Sequence, residues 1–237
     1  MRALLWIGMM ALANSLSAAT ISGTLKTTAN KPIRAAITIH DLSTPRTIDQ
    51  TPFDHRFASK SDGTFSLTAV PAGKYEFCVE APQENALDPC LWTPGGAPTL
   101  TVAASDAIAN HAIAVDTGYT LNLRVNDPAA LLPTSKSGVV GNALSLKIVT
   151  SGNRVLNFRL LSTDSQGRNQ YLVVPWNQAM ILVTESSSLA LSSGPNTPTA
   201  NNSQRIPIRV PLGGSWPTIA INVAAAAVAT PVATAKP

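Results

Sequence analysis

The chain has 237 residues, a formal net charge of +4, and only 13% charged and 5% aromatic side chains. Its 21 Ser and 24 Thr supply much of the polarity, whereas a globular protein ordinarily draws about a quarter of its residues from the charged types. This composition excludes coiled coils, charge-rich disordered proteins and helical proteins with a charged surface, and its 18 Pro and 14 Gly favour strands joined by turns.

The first 19 residues have the features of a secretory leader. One arginine precedes an apolar run over residues 3–13, and the small residues Ser17 and Ala19 stand where a signal peptidase site needs them. The run is too short to span a membrane, which takes about 20 residues. We therefore expect cleavage before Thr20 and a secreted, periplasmic or cell-envelope protein without a membrane span.

Alternating apolar and polar residues predict strands through the first half of the mature chain. The predicted strands are 21–27, 34–42, 64–67, 74–80, 98–103 and 107–115. Asn30, Lys31 and Pro32 form one predicted turn, and Asp62-Gly63 has the chemistry of a hairpin turn. We predict that residues 20–116 form a first β-sandwich domain.

The second half repeats part of this pattern at an offset of 104 residues. The identical pairs are Gly63 and Gly167, Val70 and Val174, and Pro71 and Pro175. Further strands are predicted at 118–126, 205–210 and 217–223, with a turn-rich loop at 192–203. We therefore predict an all-β fold of two tandem sandwich domains after a signal peptide, the second over 117–223, and a flexible Ala/Thr/Pro tail over 224–237.

The first domain resembles the carboxypeptidase regulatory-like domain. The matching segments are I-S-G-T-L at 21–25, S-D-G-T-F-S-L at 61–67, V-P-A-G at 70–73 and K-Y-E-F-C-V at 74–79. This resemblance implies a transthyretin-like β-sandwich and a non-catalytic accessory, adhesive or sugar-binding-like module. The second half departs from the family at Trp176-Asn177, where the first has Ala72-Gly73, although an immunoglobulin-like sandwich there satisfies the same alternation.

Cys78 and Cys90 are the only cysteines of a chain expected to reach an oxidising compartment. Cys78 alternates with the apolar positions of its strand, so it faces outward and meets a loop folded over the sheet. We predict a structural disulfide between the two. A catalytic thiol needs a positioned base, and the acidic neighbours Glu76, Glu80 and Asp88 raise a thiol pKa instead of lowering it.

Two tryptophans are candidates for a ligand platform. Trp92 and Trp176 lie beside turn residues, and an exposed indole can stack on a sugar ring while loop Asn and Asp side chains take the hydroxyls. The alternative is that each tryptophan plugs the open end of a sandwich, as large apolar residues are usually packed.

The remaining polar residues predict no catalytic or metal site. His40, His55 and His111 lack the short spacing of metal ligands, and we expect no cofactor. Residues 20–116 carry 7 basic and 10 acidic side chains, and residues 117–237 carry 9 basic and 3 acidic ones. The basic residues are scattered, unlike those of nucleic-acid-binding proteins, so we expect a protein or glycan partner.

We expect an exported, non-enzymatic β-sandwich protein that acts as a binding, adhesive or envelope-structural module, with carbohydrate as one candidate ligand. The alternative is an accessory domain of a secreted hydrolase or a weak hydrolytic enzyme that uses acidic loop residues. A pocket that gathers two carboxylates or a Ser-His-acid set distinguishes the two hypotheses.

Overall fold

The computed structural model describes residues 18–42, 53–132, 144–194 and 203–226. About 59% of these residues lie in strands and 4% in helices, which confirms the predicted all-β class. The predicted leader up to residue 17, most of the predicted loop, and the tail from residue 227 lie outside the described residues.

Seven strands are described between residues 19 and 115. They are β1 (Ala19–Thr27), β2 (Ala36–Asp41), β3 (Asp54–Ala58), β4 (Thr64–Val70), β5 (Gly73–Glu80), β6 (Thr99–Val102) and β7 (Ala107–Val115). A 3₁₀ turn (Pro82–Glu84) and a four-residue helix, α1 (Pro89–Trp92), follow β5. The strands form two sheets, in the orders β4-β1-β7 and β3-β2-β5-β6.

Side chains that point inward from alternate positions of the strands form a core between these two sheets. In β5, Tyr75, Phe77 and Val79 are buried, while the residues between them face outward. They pack with residues of both sheets, which we call the first core, including Ile21, Leu25, Ile37, Ile39, Phe65, Leu67 and Val115. The predicted alternation therefore gives the sandwich its buried layer.

Nine strands are described between residues 119 and 225. They are β8 (Tyr119–Asn126), β9 (Ser145–Thr150), β10 (Val155–Asn157), β11 (Arg159–Asp164), β12 (Gly167–Val174), β13 (Met180–Glu185), β14 (Leu189–Ser193), β15 (Ser203–Ile208) and β16 (Ile219–Ala225). Their sheets have the orders β11-β12-β8-β16-β14 and β10-β9-β13-β15. A second core lies between them and includes Leu121, Leu123, Ile148, Leu182, Leu191 and Ile221.

The two halves share one strand order. The segment β12-β8-β16 corresponds to β4-β1-β7, and β10-β9-β13-β15 corresponds to β3-β2-β5-β6. In each half the first and last described strands lie side by side and run parallel, as β1 with β7 and β8 with β16. The second half adds β11 and β14 at the edges of its larger sheet, so the weak sequence repeat reflects a shared topology.

The repeated glycine occupies the same place in both halves. Gly63 has a φ of +78°, and a Cβ there would lie 2.4 Å from the carbonyl oxygen of Leu25. Gly167 has a φ of +147°, and its Cβ would lie 1.9 Å from the carbonyl oxygen of Val125. Each glycine lets its turn press against the first strand of its half, which no side chain would permit.

Prolines and the start of the first strand account for three differences in detail between the predicted and the observed strands. The last strand begins at Ile219 instead of residue 217 because Pro217 has no N–H for the ladder. Pro207 lies inside β15, an edge strand, where a missing donor is tolerated. Ala19 was predicted to be the last residue of the leader. In the structure it is the first residue of β1 and is fully buried.

Candidate functional site

A cluster of polar and aromatic side chains lies where the two halves meet. We call this cluster the junction. The first half contributes Glu80 at the end of β5, Asp88 just before α1, and Trp92 at the end of α1. The second half contributes Arg159 of β11 and Tyr171 of β12, which are partners across that strand pair. Neighbouring strands thus present the arginine and the tyrosine together to the first half.

Two local features fix α1 against β5. Cys78 of β5 and Cys90 of α1 are joined by a disulfide, as predicted, with an S–S distance of 2.01 Å and a Cα–Cα distance of 5.2 Å. Asp88 caps α1, and its Oδ1 accepts hydrogen bonds from the backbone N–H of Cys90 at 3.0 Å and of Val79 at 3.1 Å. The buried carboxylate therefore ties the helix to the strand beside it.

Arg159 connects the two carboxylates of the first half. Its Nη2 donates to Asp88 Oδ2 at 2.9 Å, and its Nη1 lies 3.2 Å from Glu80 Oε2. The Tyr171 hydroxyl donates to Glu80 Oε1 at 2.5 Å, and Arg56 Nη2 donates to Glu80 Oε2 at 2.8 Å. Charge-assisted bonds of this kind are about twice as strong as neutral ones.

The junction shifts the pKa of each acid in a different direction. Burial works to raise the pKa of Glu80, but the Tyr171 hydrogen bond and the neighbouring arginines outweigh it, so this pKa lies below its usual range. Burial prevails at Asp88 over its backbone donors and Arg159, so the pKa of Asp88 is raised. Burial and the bond to Glu80 raise the pKa of Tyr171 to about 12.

The cleft at the junction is too small for a substrate. It is lined by Glu80, Asp88, Arg159 and Tyr171 together with apolar residues, and its free volume of about 20 Å³ holds about one water molecule. Two carboxylates do meet here, which is the feature that the hydrolase hypothesis requires. Both, however, bind Arg159, so neither is positioned to attack or protonate a bound molecule.

The two candidate platform tryptophans both pack against the second core. Trp92 is half-buried, and its indole N–H donates to the carbonyl oxygen of Val173 in the other half at 2.8 Å. Trp176 lies against Tyr119, with ring centroids 5.6 Å apart at an angle of 57°. The Tyr119 hydroxyl in turn donates to the carbonyl oxygen of Trp216.

Two of the three histidines have clear neighbours in the structure, one on an exposed sheet face and one beside the first core. His40 Nδ1 lies 2.8 Å from Asp54 Oδ1 on the exposed face of β2 and β3. His111 packs against Phe77, and burial lowers its pKa. Among the described residues, the only group of three or more side chains of metal-ligand type is Glu76 with Cys78 and Cys90, and its two sulfur atoms are already bonded to each other.

Glu80 and Asp88 stand out in the sequence as acidic neighbours of the two cysteines, but nothing in the sequence around them indicates their partner Arg159. One local signal was present: Asp88 before Pro89 is the pattern of a helix cap followed by proline at the first helical position. Arg159 lies 71 residues from Asp88 along the chain. No local pattern connects residues at that distance.

The comparisons with known proteins find similarity only at the level of solved structures. No known protein family and no curated protein matches the sequence. The Bacillus anthracis TIE protein is 13% identical, with 81% of this chain covered and a TM-score of 0.31. A streptococcal ancillary pilin is 6% identical, with 87% covered and a TM-score of 0.38.

A DUF3823 family protein from Bacteroides uniformis is 14% identical, with 82% of this chain and 100% of that chain covered and a TM-score of 0.31. This chain spans 31% of the length of the TIE protein and 63% of the length of the ancillary pilin. With TM-scores below 0.5, these similarities carry no argument about function.

Proposed function

We propose that the chain is an exported, non-catalytic module of the cell envelope whose two β-sandwiches are held as one unit. The junction carries this proposal. Arg159 binds Asp88 and Glu80 across it, and Trp92 packs from the first half into the second core. An interface made of charged pairs and a large aromatic side chain suits a protein that must keep its two halves in a fixed orientation.

The chemistry of the junction supports a structural role over a hydrolytic one. A general acid or base must reach a proton on the substrate, and the carboxylates of Glu80 and Asp88 instead hold an arginine and backbone N–H groups. The hydrolase hypothesis retains one supporting observation, the meeting of two acids in a cleft. The volume of that cleft weighs against it.

Export is supported by the leader-like sequence and by the disulfide between Cys78 and Cys90, because disulfides persist in oxidising compartments. No helix among the described residues is long and apolar enough to cross a membrane. We infer a protein partner in the envelope before a glycan, because the Trp92 indole N–H already has an acceptor and Trp176 packs on Tyr119.

The proposal is tested by expressing the full 237-residue chain in a bacterium with an oxidising periplasm. We expect the protein in the periplasm or medium, without its leader, and two hydrogens lighter than the dithiol by intact mass. A full-length product that remains in the cytoplasm, or two alkylated thiols in the native exported protein, would contradict it.

A further inference from the structure

The outer face of the β10-β9-β13-β15 sheet carries an apolar row across all four strands. Val155 pairs with Val149, Val149 with Ile181, and Ile181 with Pro207. The residues adjacent to them in sequence, such as Leu182 and Ile208, belong to the second core, so the row points away from it. Val155 is 56% exposed. This arrangement is unlike an ordinary outer face, on which polar side chains alternate with the buried ones.

Part of this row lines a groove of about 490 Å³. Val149, Ile181 and Pro207 form its floor, while Trp216 and Arg209 also line it. The volume lies in the range of about 300 to 1,000 Å³ that is typical of small-molecule sites. A mostly apolar groove with an indole and a single charged side chain is suited to a molecule with an apolar body and one polar end.

Cations border the row on both sides. Lys147 and Arg205 are each two residues from a member of the row along the same face, at Val149 and Pro207. Arg209 lies two residues beyond Pro207 in the other direction, and its Nε donates to the carbonyl oxygen of Asn177 at 3.1 Å. This bond anchors the guanidinium at the rim of the groove.

Each of the three acidic side chains of the second half has a partner within the protein. Asp127 accepts from the backbone N–H groups of residues 131 and 132, and Asp164 pairs with Arg124. Glu185 pairs with Lys147 at 2.8 Å and neutralises it, so the charged side chain that lines the groove is Arg209. No acidic residue is among those that line the groove in the described part of the chain. The local field at the groove therefore favours a negative charge.

We propose that this groove binds an anionic amphiphile, an acyl or aromatic group that carries one acidic head. The apolar body covers Val149, Ile181 and Pro207 beside Trp216, and the acidic head meets Arg209. Burial of the apolar body supplies the affinity, and the arginine supplies selectivity for the anion. The site lies outside the junction, so this proposal stands or falls independently of the structural role.

The test is calorimetric titration of the mature protein with decanoate, alongside decyltrimethylammonium as a probe with the same chain and the opposite charge. We expect saturable binding of decanoate, a change in tryptophan fluorescence, and much weaker binding of the cation. Arg209→Gln should weaken decanoate about tenfold, the loss of one charge-assisted contact. Ile181→Ser should weaken both probes.

Two control variants separate the groove from general effects. Leu161→Ser removes an exposed apolar side chain of β11, and Arg34→Gln removes an exposed cation of the first half; neither lines the groove. Both should bind decanoate like the unaltered protein, and all variants should keep its melting temperature to within a few degrees.

The proposal is overturned if decanoate does not saturate, if both probes bind equally, or if Arg209→Gln and Ile181→Ser leave binding unchanged. A groove already filled by a second copy of the chain or by its own terminal residues would give the first of these results. Sedimentation of the unliganded protein then identifies the second copy by its mass.

Discussion

At the scale of single residues, Asp88 shows how a buried carboxylate can be stable without being reactive. It is 6% exposed, and both of its oxygens are bonded, to two backbone N–H groups and to Arg159. Desolvation makes an unpaired buried carboxylate costly. These bonds offset part of that cost, although burial still raises the Asp88 pKa. Asp88 thereby connects β5, α1 and the second half.

Asp88→Ala should lower the free energy of unfolding by about 3 kcal/mol, because it leaves two buried backbone N–H groups without their acceptor and leaves Arg159 with Glu80 alone. Glu84→Gln is the matched control, since Glu84 forms an exposed pair with Lys31 at 2.8 Å. Surface pairs contribute at most about 1 kcal/mol. Equal losses for the two variants in urea unfolding would show that the Asp88 bonds contribute little.

Trp92→Ala should lower the melting temperature clearly, because a half-buried indole and its bond to Val173 are lost. Large aromatic truncations in cores cost about 3 to 5 kcal/mol, and partial burial places this one near the lower end. Leu42→Ala, at a residue 44% exposed, is the control for a surface truncation. A melting temperature equal to that of the unaltered protein would instead favour the ligand-platform hypothesis for Trp92.

The pairing of Asp164 with Arg124 makes the stability of the protein depend on pH in the acid range. Hydrogen bonds with Arg124 lower the pKa of Asp164 to about 2 from a usual value near 3.8, so its contribution to stability is present above pH 3.8 and is lost as the pH falls toward 2. Asp164→Asn should flatten the acid limb of the stability profile in that interval. Carboxyl NMR titration should find the Asp164 pKa near 2; a value near 3.8 would show that the pair does not form in solution.

At the scale of elements, the turn glycines explain why the two halves keep the same residue at one offset. Gly63→Ala forces a left-handed φ on alanine and brings its Cβ against Leu25 O. Gly95 also has a positive φ, of +82°, but nothing lies within 4 Å of its Cβ position. Comparing the two variants separates backbone strain from steric clash.

We expect Gly95→Ala to cost about 1 kcal/mol in unfolding free energy, from strain alone, and Gly63→Ala about 3 kcal/mol, from strain and overpacking together. Chemical denaturation followed by circular dichroism measures both. Equal losses of unfolding free energy in the two variants would mean that the turn before β4 can move away from β1 and relieve the clash.

The elements also show which parts of the fold a sequence reveals. Strong alternation predicted β1, β5 and β7 closely, and the Asp62-Gly63 turn with the alternation after it predicted the first four residues of β4. β3 carried no signal because it is an edge strand whose residues are almost all exposed. Strand order, the parallel pairs and the Arg159 contacts depend on pairings between distant residues, which periodicity cannot encode.

At the scale of the whole molecule, the junction joins two sandwiches whose sequences carry opposite net charge. The first half is rich in acids and the second in bases, and the arginine of the second meets two acids of the first. The charge asymmetry can be counted from the sequence, whereas the residues through which the two halves meet are known only from the structure.

The central claim is that the junction holds the two halves in one orientation. Spin labels at Ala109→Cys and Thr163→Cys, both exposed and in opposite halves, report their separation by pulsed electron paramagnetic resonance. We predict one narrow distance distribution for the otherwise unaltered protein and a broad one when Arg159→Met and Trp92→Ala are added. A broad distribution with the junction intact would contradict the account.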